Sequence, residues 1–219
     1  MYPDRSKIVI CPFCGAKKEL MTLASDNLIW ATHWSDYRVI APNKPEVSPV
    51  QKCLGCGKYY LESNQPYSLG EMHSFNKGEL TYMEWKEAYG QFVNDESFSK
   101  KDLINVMFWL IQAYNDYYYR PNYRLFPSPA IDPKEETFIT NIIHKFIDAA
   151  DWSKVPIVLK AELYREVGDM EKSMQVLSCI HVEELSNTEL CICAGIKRRI
   201  KTGNKSVFNV YSLDLLDYE

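Results

Sequence analysis

The spacing of apolar residues changes once along the chain, near residue 80. Beyond that point they recur every three or four positions, as on a helix with one buried face. Leu103, Met107 and Leu110 illustrate this spacing, and Phe138, Ile142 and Ile143 repeat it further along. The pattern predicts six helices, at about 81–94, 99–119, 133–150, 155–167, 170–181 and 187–202.

The third of these helices has the clearest start signal. Asp132 can cap its free amides, Pro133 suits its first position, and Glu135 and Glu136 favour the positive end of the helix dipole. Gly168 separates the fourth and fifth helices, where a left-handed glycine typically ends a helix.

The first 62 residues have a different pattern, with short apolar or β-branched runs at 28–32, 37–41 and 59–61. Prolines interrupt the sequence between the second and third runs, which favours short strands and turns over helix. The predicted fold class is therefore α+β. A small β ribbon covers 1–65, a polar linker covers 66–79, and an all-α domain covers 80–219.

Two copies of one cysteine motif lie in the predicted ribbon, CPFCG at 11–15 and CLGCG at 53–57. Each supplies two thiolates from one tight turn, and the following glycine allows that turn to close. Four thiolates complete the tetrahedral shell of a structural Zn²⁺ and leave no open position for a catalytic water. We expect Cys11, Cys14, Cys53 and Cys56 to hold one zinc ion.

The gap between the two motifs is 38 residues, against roughly 15–20 in compact sites of this kind. Doubling a loop costs only about 0.6 kcal/mol, whereas structural zinc contributes about 10–16 kcal/mol in small peptides. The long gap is therefore tolerable. The same four ligands also suit iron or a redox dithiol, so the metal is left open at this stage.

Charge and composition narrow the class of protein. The 219 residues carry a net charge of -4 and are 46 % apolar, as in a folded globular protein. Residues 1–62 contain eight Lys or Arg and six Asp or Glu, and four thiolates with one Zn²⁺ bring their sum to zero. Such a surface argues against nucleic-acid binding.

We expect no membrane span, no signal peptide and a cytoplasmic location, where free cysteines persist.

Two groups of aromatic residues are candidates for an interaction surface. Large aromatic side chains either form local cores or anchor protein interfaces, and the sequence leaves both open. The first group lies between the cysteine motifs and the second near the end of the second predicted helix. The candidates are Trp30, Trp34, Tyr37, Tyr118, Tyr119, Arg120 and Tyr123.

The segment 157–181 resembles one tetratricopeptide helix pair, through the small Ala161 and Ser173, the turn residue Gly168 and the apolar Leu177. A degenerate second copy extends this tetratricopeptide-like region over about 155–203. The two cysteine motifs resemble those of zinc-ribbon, or rubredoxin-like, domains. The whole chain resembles bacterial proteins that pair such a ribbon with tetratricopeptide-like helices. The resemblance implies a concave helical face that binds peptides.

These features predict a zinc-binding protein-interaction or adaptor module that binds an unidentified protein or peptide. We expect no enzymatic activity, because the sequence has no glycine-rich phosphate loop, no metalloprotease motif and no nucleophile with an evident base. The alternatives are a nucleic-acid-associated regulator that acts through the ribbon and a rubredoxin-like redox carrier.

Overall fold

A computed structural model describes residues 6–22, 28–41, 48–70, 80–120 and 129–211. These residues form short antiparallel strands followed by helices, so the predicted α+β class is confirmed. The strands are β1 (Ser6–Ile10), β2 (Lys17–Leu20), β3 (Thr32–His33), β4 (Val39–Ile40), β5 (Val50–Lys52), β6 (Tyr59–Leu61) and β7 (Tyr67–Gly70). The helices are α1 (Tyr82–Val93), α2 (Lys100–Tyr118), α3 (Pro133–Ala149), α4 (Ile157–Glu166), α5 (Met170–Ser178) and α6 (Asn187–Thr202).

The chain forms two compact units whose boundaries interleave in the sequence. The first unit contains the described residues up to Ala31 and those from Ala41 to Val106. The second contains Thr32–Ile40 and the described residues from Met107 onward. A short segment between the two cysteine motifs therefore belongs to the unit that holds most of the helices.

The first unit is built on a three-stranded sheet in the order β2-β1-β7, with both pairs antiparallel. Ile8 lies opposite Glu19 on one side and Ser68 on the other. Strand β7 falls within the segment 66–79 that the sequence pattern predicted as a linker. Residues 67–70 are thus a sheet edge, and residues 71–79 lie outside the described part of the chain.

Helix α1 packs against the β5–β6 hairpin in the same unit. The side-chain amide of Gln91 donates to the carbonyl of Tyr59 at 2.7 Å, and its oxygen accepts from the backbone N–H of Tyr59 at 2.9 Å. This pair of bonds satisfies the backbone N–H and C=O of Tyr59, as pairing with a neighbouring strand would. Lys52 adds a 3.4 Å ion pair with Glu84 of α1. The sequence pattern had grouped α1 with the later helices.

The helices begin and end as the sequence predicted. Asp132 accepts from the backbone N–H of Lys134 at the start of α3, with Pro133 in the first turn. Gly168, between α4 and α5, has a φ of +87°. Ser173 of α5 donates its hydroxyl to the carbonyl of Ala161 in α4 at 2.7 Å. The six helices are confirmed; their tetratricopeptide-like character stays a prediction.

The core of the second unit joins α4, α5 and α6 to the chain segment after α6. Its buried members are Val158, Ala161, Leu177, Ile192, Ile196, Phe208 and Val210. The β3–β4 hairpin attaches to this segment through the backbone. Ser35 donates its N–H to the carbonyl of Phe208 at 2.9 Å, and Val210 donates to the carbonyl of His33 at 2.8 Å.

Of the helices that the structure describes, none is long and apolar enough to cross a bilayer.

Candidate metal centre

The two cysteine motifs fold into turns with the same backbone geometry. In the first, Gly15 donates its N–H to the carbonyl of Cys11 at 2.9 Å, and in the second, Gly57 donates to the carbonyl of Cys53 at 2.8 Å. The φ angles of the two glycines are +73° and +75°, in the left-handed region that glycine occupies without a steric penalty. This matched geometry explains why each motif carries a glycine directly after its second cysteine.

The turns bring all four predicted cysteines together. Their Sγ atoms lie within 4.8 Å of one another. The Sγ atoms of Cys11 and Cys56 are 3.8 Å apart, and those of Cys14 and Cys53 are 3.5 Å apart. A tetrahedral ion with metal–sulfur bonds of about 2.3 Å needs sulfur–sulfur edges of about 3.8 Å. The four thiols are therefore placed to hold one metal ion.

The centre has one buried edge and one exposed edge. Cys11 and Cys53 are 2 % and 4 % exposed and pack with Val9, Leu20 and Tyr60 in the core of the first unit. Cys14 and Cys56, the second cysteine of each motif, are exposed. A bound ion would therefore tie the small core to the surface turns.

The surroundings shift the pKa values of Cys11, Cys14 and Cys53 in different directions. Burial alone would raise the pKa of Cys53, but hydrogen bonds from the backbone of Cys56 and from the neighbouring thiols lower it to about 6. Burial raises the pKa of Cys11. The backbone of Ala16 lowers the pKa of Cys14, yet the hydrogen bonds with the other three thiols and burial together outweigh this and raise it to about 12. Metal binding must therefore displace the protons of Cys11 and Cys14.

Two candidate interaction residues from the sequence are buried. Trp34 is 7 % exposed and Arg120 is fully buried, with the guanidinium 5.0 Å from the centre of the Trp34 ring. They form an internal packing contact of the second unit and present no surface to a partner. Tyr37 is half-buried and donates its hydroxyl to Glu189 of α6 at 3.2 Å.

Trp30 differs sharply from Trp34. It is 81 % exposed, and its φ of +65° is unusual for a residue other than glycine. Tyr118 and Tyr119 are half-buried at the end of α2. Tyr123 lies outside the described residues.

A buried polar cluster, which no sequence motif predicts, lies in the interior of the second unit. Asn115 donates its side-chain amide to Asp36 at 3.1 Å and to Glu166 at 3.0 Å, and all three residues are buried. These positions are far apart in the chain and have no motif spacing. Only the fold brings them together.

No protein-family model matches this chain, and no match was found among curated proteins or solved structures. The zinc-ribbon and tetratricopeptide resemblances therefore stay predictions based on the motifs. The geometry of the thiol cluster is an independent observation.

Proposed function

We propose that the protein is a zinc-binding protein-interaction module in which the metal stabilises the first unit. The observation that carries this proposal is the convergence of Cys11, Cys14, Cys53 and Cys56 within 4.8 Å. Four thiolates make a closed shell, which suits a structural ion and leaves no site for substrate or water. The proposal extends to a cytoplasmic location, where these thiols stay reduced.

A structural ion is needed because the sheet around it is small. The strands of the first unit are three to five residues long, and a sheet of this size has little apolar area to bury. The ion would link the turn after β1 to the turn after β5, which lie far apart in the chain. When bound, zinc would cross-link the two turns through its bonds to the four thiolates, and it has no redox chemistry.

The interaction surface in this proposal is centred on Trp30. Leu28, Ile29 and Trp30 are 50 %, 62 % and 81 % exposed, three consecutive large apolar side chains. Grouped exposure of this kind marks interfaces, and tryptophan is the side chain most enriched among interface anchors. We therefore assign partner contact to Trp30, in place of the buried Trp34 and Arg120.

Metal analysis tests the first half of the proposal. We expect native mass spectrometry of the untagged chain to show one zinc per molecule, and Cys53→Ser to lose it. Cys191→Ser, in a half-buried thiol of α6, is the matched control and should keep it. A coloured protein with iron would favour the redox carrier, and a metal-free native protein would refute a metal centre.

Partner capture tests the second half. The zinc-loaded chain and its Trp30→Ala variant should differ in the proteins they retain, whereas Val182→Ala should behave like the unmodified chain. Val182 is 60 % exposed, so it controls for loss of an exposed apolar side chain. Capture that is identical for all three proteins would contradict a role for Trp30.

A further inference from the structure

Three carboxylates and two arginines are buried together in the described part of the second unit. Asp36 forms an ion pair with Arg120. Glu162 forms one with Arg165, through two bonds of 2.7 and 2.6 Å. Glu166 is 8 % exposed and has no ion pair among the residues that the structure describes. A charge on Glu166 would therefore be buried without a partner, which is costly.

Glu166 and Asp36 are close neighbours because they share one hydrogen-bond donor. The side-chain amide nitrogen of Asn115 donates to Oδ2 of Asp36 at 3.1 Å and to Oε2 of Glu166 at 3.0 Å. The two oxygens are therefore no more than about 6 Å apart, since one nitrogen reaches both. Two carboxyl groups this close in a buried site do not both ionise at low cost, so the one without a cation holds a proton.

Two oxygens of this cluster have no donor in the described part of the chain, namely Oε1 of Glu166 and Oδ1 of Asn115. They belong to the same two groups that share the bond from Asn115 to Oε2 of Glu166. A neutral carboxyl group beside an amide can donate its O–H back to the amide oxygen, so one proton would satisfy both atoms. Among the described residues, only the four cysteines form a group of ligating side chains close enough to hold a metal ion. A proton is therefore the cation that fits this pair of oxygens.

Burial and charge act on Glu166 in the same direction. Burial raises the pKa of Glu166 most, and the negative charges of Glu162 and Asp36 raise it further, to well above the usual value. Arg165 and the bond from Asn115 lower this pKa, but more weakly. Arg165 compensates little, because its guanidinium already pairs with Glu162.

The other ionisable groups around the cluster do not supply a cation for Glu166. Tyr119 of α2 lies near it, and burial raises the pKa of Tyr119, so this phenol stays neutral. Asp116 of α2 bonds Arg120 and lies 3.1 Å from Arg38. These two arginines compensate the charge of Asp116, whereas an ionised Glu166 would face only carboxylates that are already paired.

The β3–β4 hairpin is the smallest element in contact with this cluster, and each of its strands has two residues. Asp36 in its turn connects it to α2. The carboxylate of Asp36 accepts from Asn115 and Arg120, and its carbonyl accepts from the side-chain amide of Gln112 at 3.1 Å. Short elements open at a lower free energy than long packed helices. The hairpin is therefore the element that can move when the cluster becomes charged.

We propose that Glu166 is the proton-binding site of a pH switch that holds the β3–β4 hairpin on α2 while Glu166 is neutral and releases it when Glu166 ionises. Ionisation transfers one proton to solvent and breaks no covalent bond. Release separates the negative charges of Glu166 and Asp36 and admits water to both. It also uncovers Trp34 of the hairpin, which is 7 % exposed in the closed form. The inference concerns the second unit alone and does not depend on the metal centre.

The protonation of Glu166 is tested by ¹³C NMR of the side-chain carboxyl groups of the full chain. The Glu166 signal is assigned as the one that is missing in Glu166→Gln. We expect it to remain at the position of a neutral acid at pH 6, where ordinary glutamates, with a pKa of about 4.3, are ionised. A Glu166 signal at the ionised position at pH 6 overturns the proposal, and this result needs no folded variant beyond the assignment.

Hairpin release is tested by amide hydrogen exchange between pH 6 and pH 9, corrected for the intrinsic exchange rate. The reporters are the N–H groups of Ser35 and Tyr37, which bond the carbonyls of Phe208 and Trp34. Their protection should fall by up to about tenfold per pH unit above the ionisation midpoint of Glu166, because one proton is lost on opening. Amides of α3 in the same unit are the internal reference and should keep their protection.

Two variants separate the switch from a general structural role. The amide of Glu166→Gln can make both bonds of the neutral acid with Asn115 and cannot ionise, so hairpin protection should stay within about twofold across the range. Glu184→Gln, at an exposed carboxylate of the same unit, is the matched control and should behave as the unmodified chain does.

Three exchange results overturn the inference. The first is hairpin protection that stays constant up to pH 9 in the unmodified chain. The second is an equal fall in Glu166→Gln, which would place the titrating group elsewhere. The third is an equal fall in the α3 amides, which would show that the whole unit unfolds and that the hairpin is not released separately.

Discussion

Arg120 and Asp36 form a buried ion pair although they are 84 positions apart in the chain. The guanidinium also bonds Asp116 and donates to the carbonyl of Gln112 at 3.2 Å. Asp36 lies in the turn between β3 and β4, and Arg120 follows the end of α2. The pair thus fastens the hairpin to that helix within the second unit.

We expect Arg120→Met to lower the free energy of unfolding by about 3–5 kcal/mol, because it leaves the buried carboxylate of Asp36 without its cation. Lys154→Met is the control. Its ion pair with Asp151 is exposed, at 79 % and 54 % for the two side chains, and should be worth at most about 1 kcal/mol. Unfolding in denaturant, monitored by the circular dichroism of the helices, measures the loss of stability in both variants. Equal losses would show that the buried pair has no special role.

Glu166 gives the second unit a pH dependence. It is buried beside Asn115, and its pKa is raised well above the usual value, first by burial and then by the negative charges of Glu162 and Asp36. Arg165 and the bond from Asn115 act in the opposite direction but more weakly. A carboxyl with a raised pKa favours the fold below its unfolded pKa, and this contribution is lost as the pH rises through the folded pKa.

Glu166→Gln should therefore reduce the loss of thermal stability between pH 5 and pH 8. The amide keeps an acceptor for Asn115 and cannot ionise. Melting temperatures measured at intervals across this range test the prediction. Glu183→Gln, at an exposed carboxylate, should leave the pH profile unchanged. A steeper profile in Glu166→Gln would contradict the assignment.

Gly57→Ala should destabilise the protein by about 1–2 kcal/mol through the backbone alone. Its φ is +75°, and a Cβ built there meets no atom within 4 Å, so steric contact adds nothing. Gly90→Ala is an informative control, because it also meets no atom within 4 Å but lies in the interior of α1. It should stabilise by about 0.5–1 kcal/mol. Chemical denaturation measures the change in the free energy of unfolding for both variants, which should decrease for Gly57→Ala and increase for Gly90→Ala.

Metal removal should loosen the core around the thiols. We expect a strong chelator to speed amide hydrogen exchange most in residues 6–20 and 50–61, which surround the cluster that includes Val9 and Tyr60. Exchange in α6 is the internal reference, measured by mass spectrometry on the same sample. Uniform protection with and without chelator would show that the ion does not stabilise this core.

The sequence determined the features that depend on neighbours in the chain. The spacing of Cys11 and Cys14, repeated at Cys53 and Cys56, specified both turns and the ligand set, because each turn closes within five residues. The helices followed from apolar periodicity and local caps such as Asp132. In contrast, strand β7 lay hidden in a polar segment, since only its pairing with β1 makes it a strand.

The tertiary structure alone decided which aromatic and charged residues are buried. Trp30 and Trp34 are four positions apart and chemically identical, yet one is exposed and the other packs beneath Arg120. The partners of Asp36 and Glu166 come from distant helices, and Gln91 binds a strand that precedes it by 32 positions. Local sequence patterns predict backbone conformation. Burial depends on contacts between distant segments, and the spacing of residues in a single sequence does not show which segments come into contact.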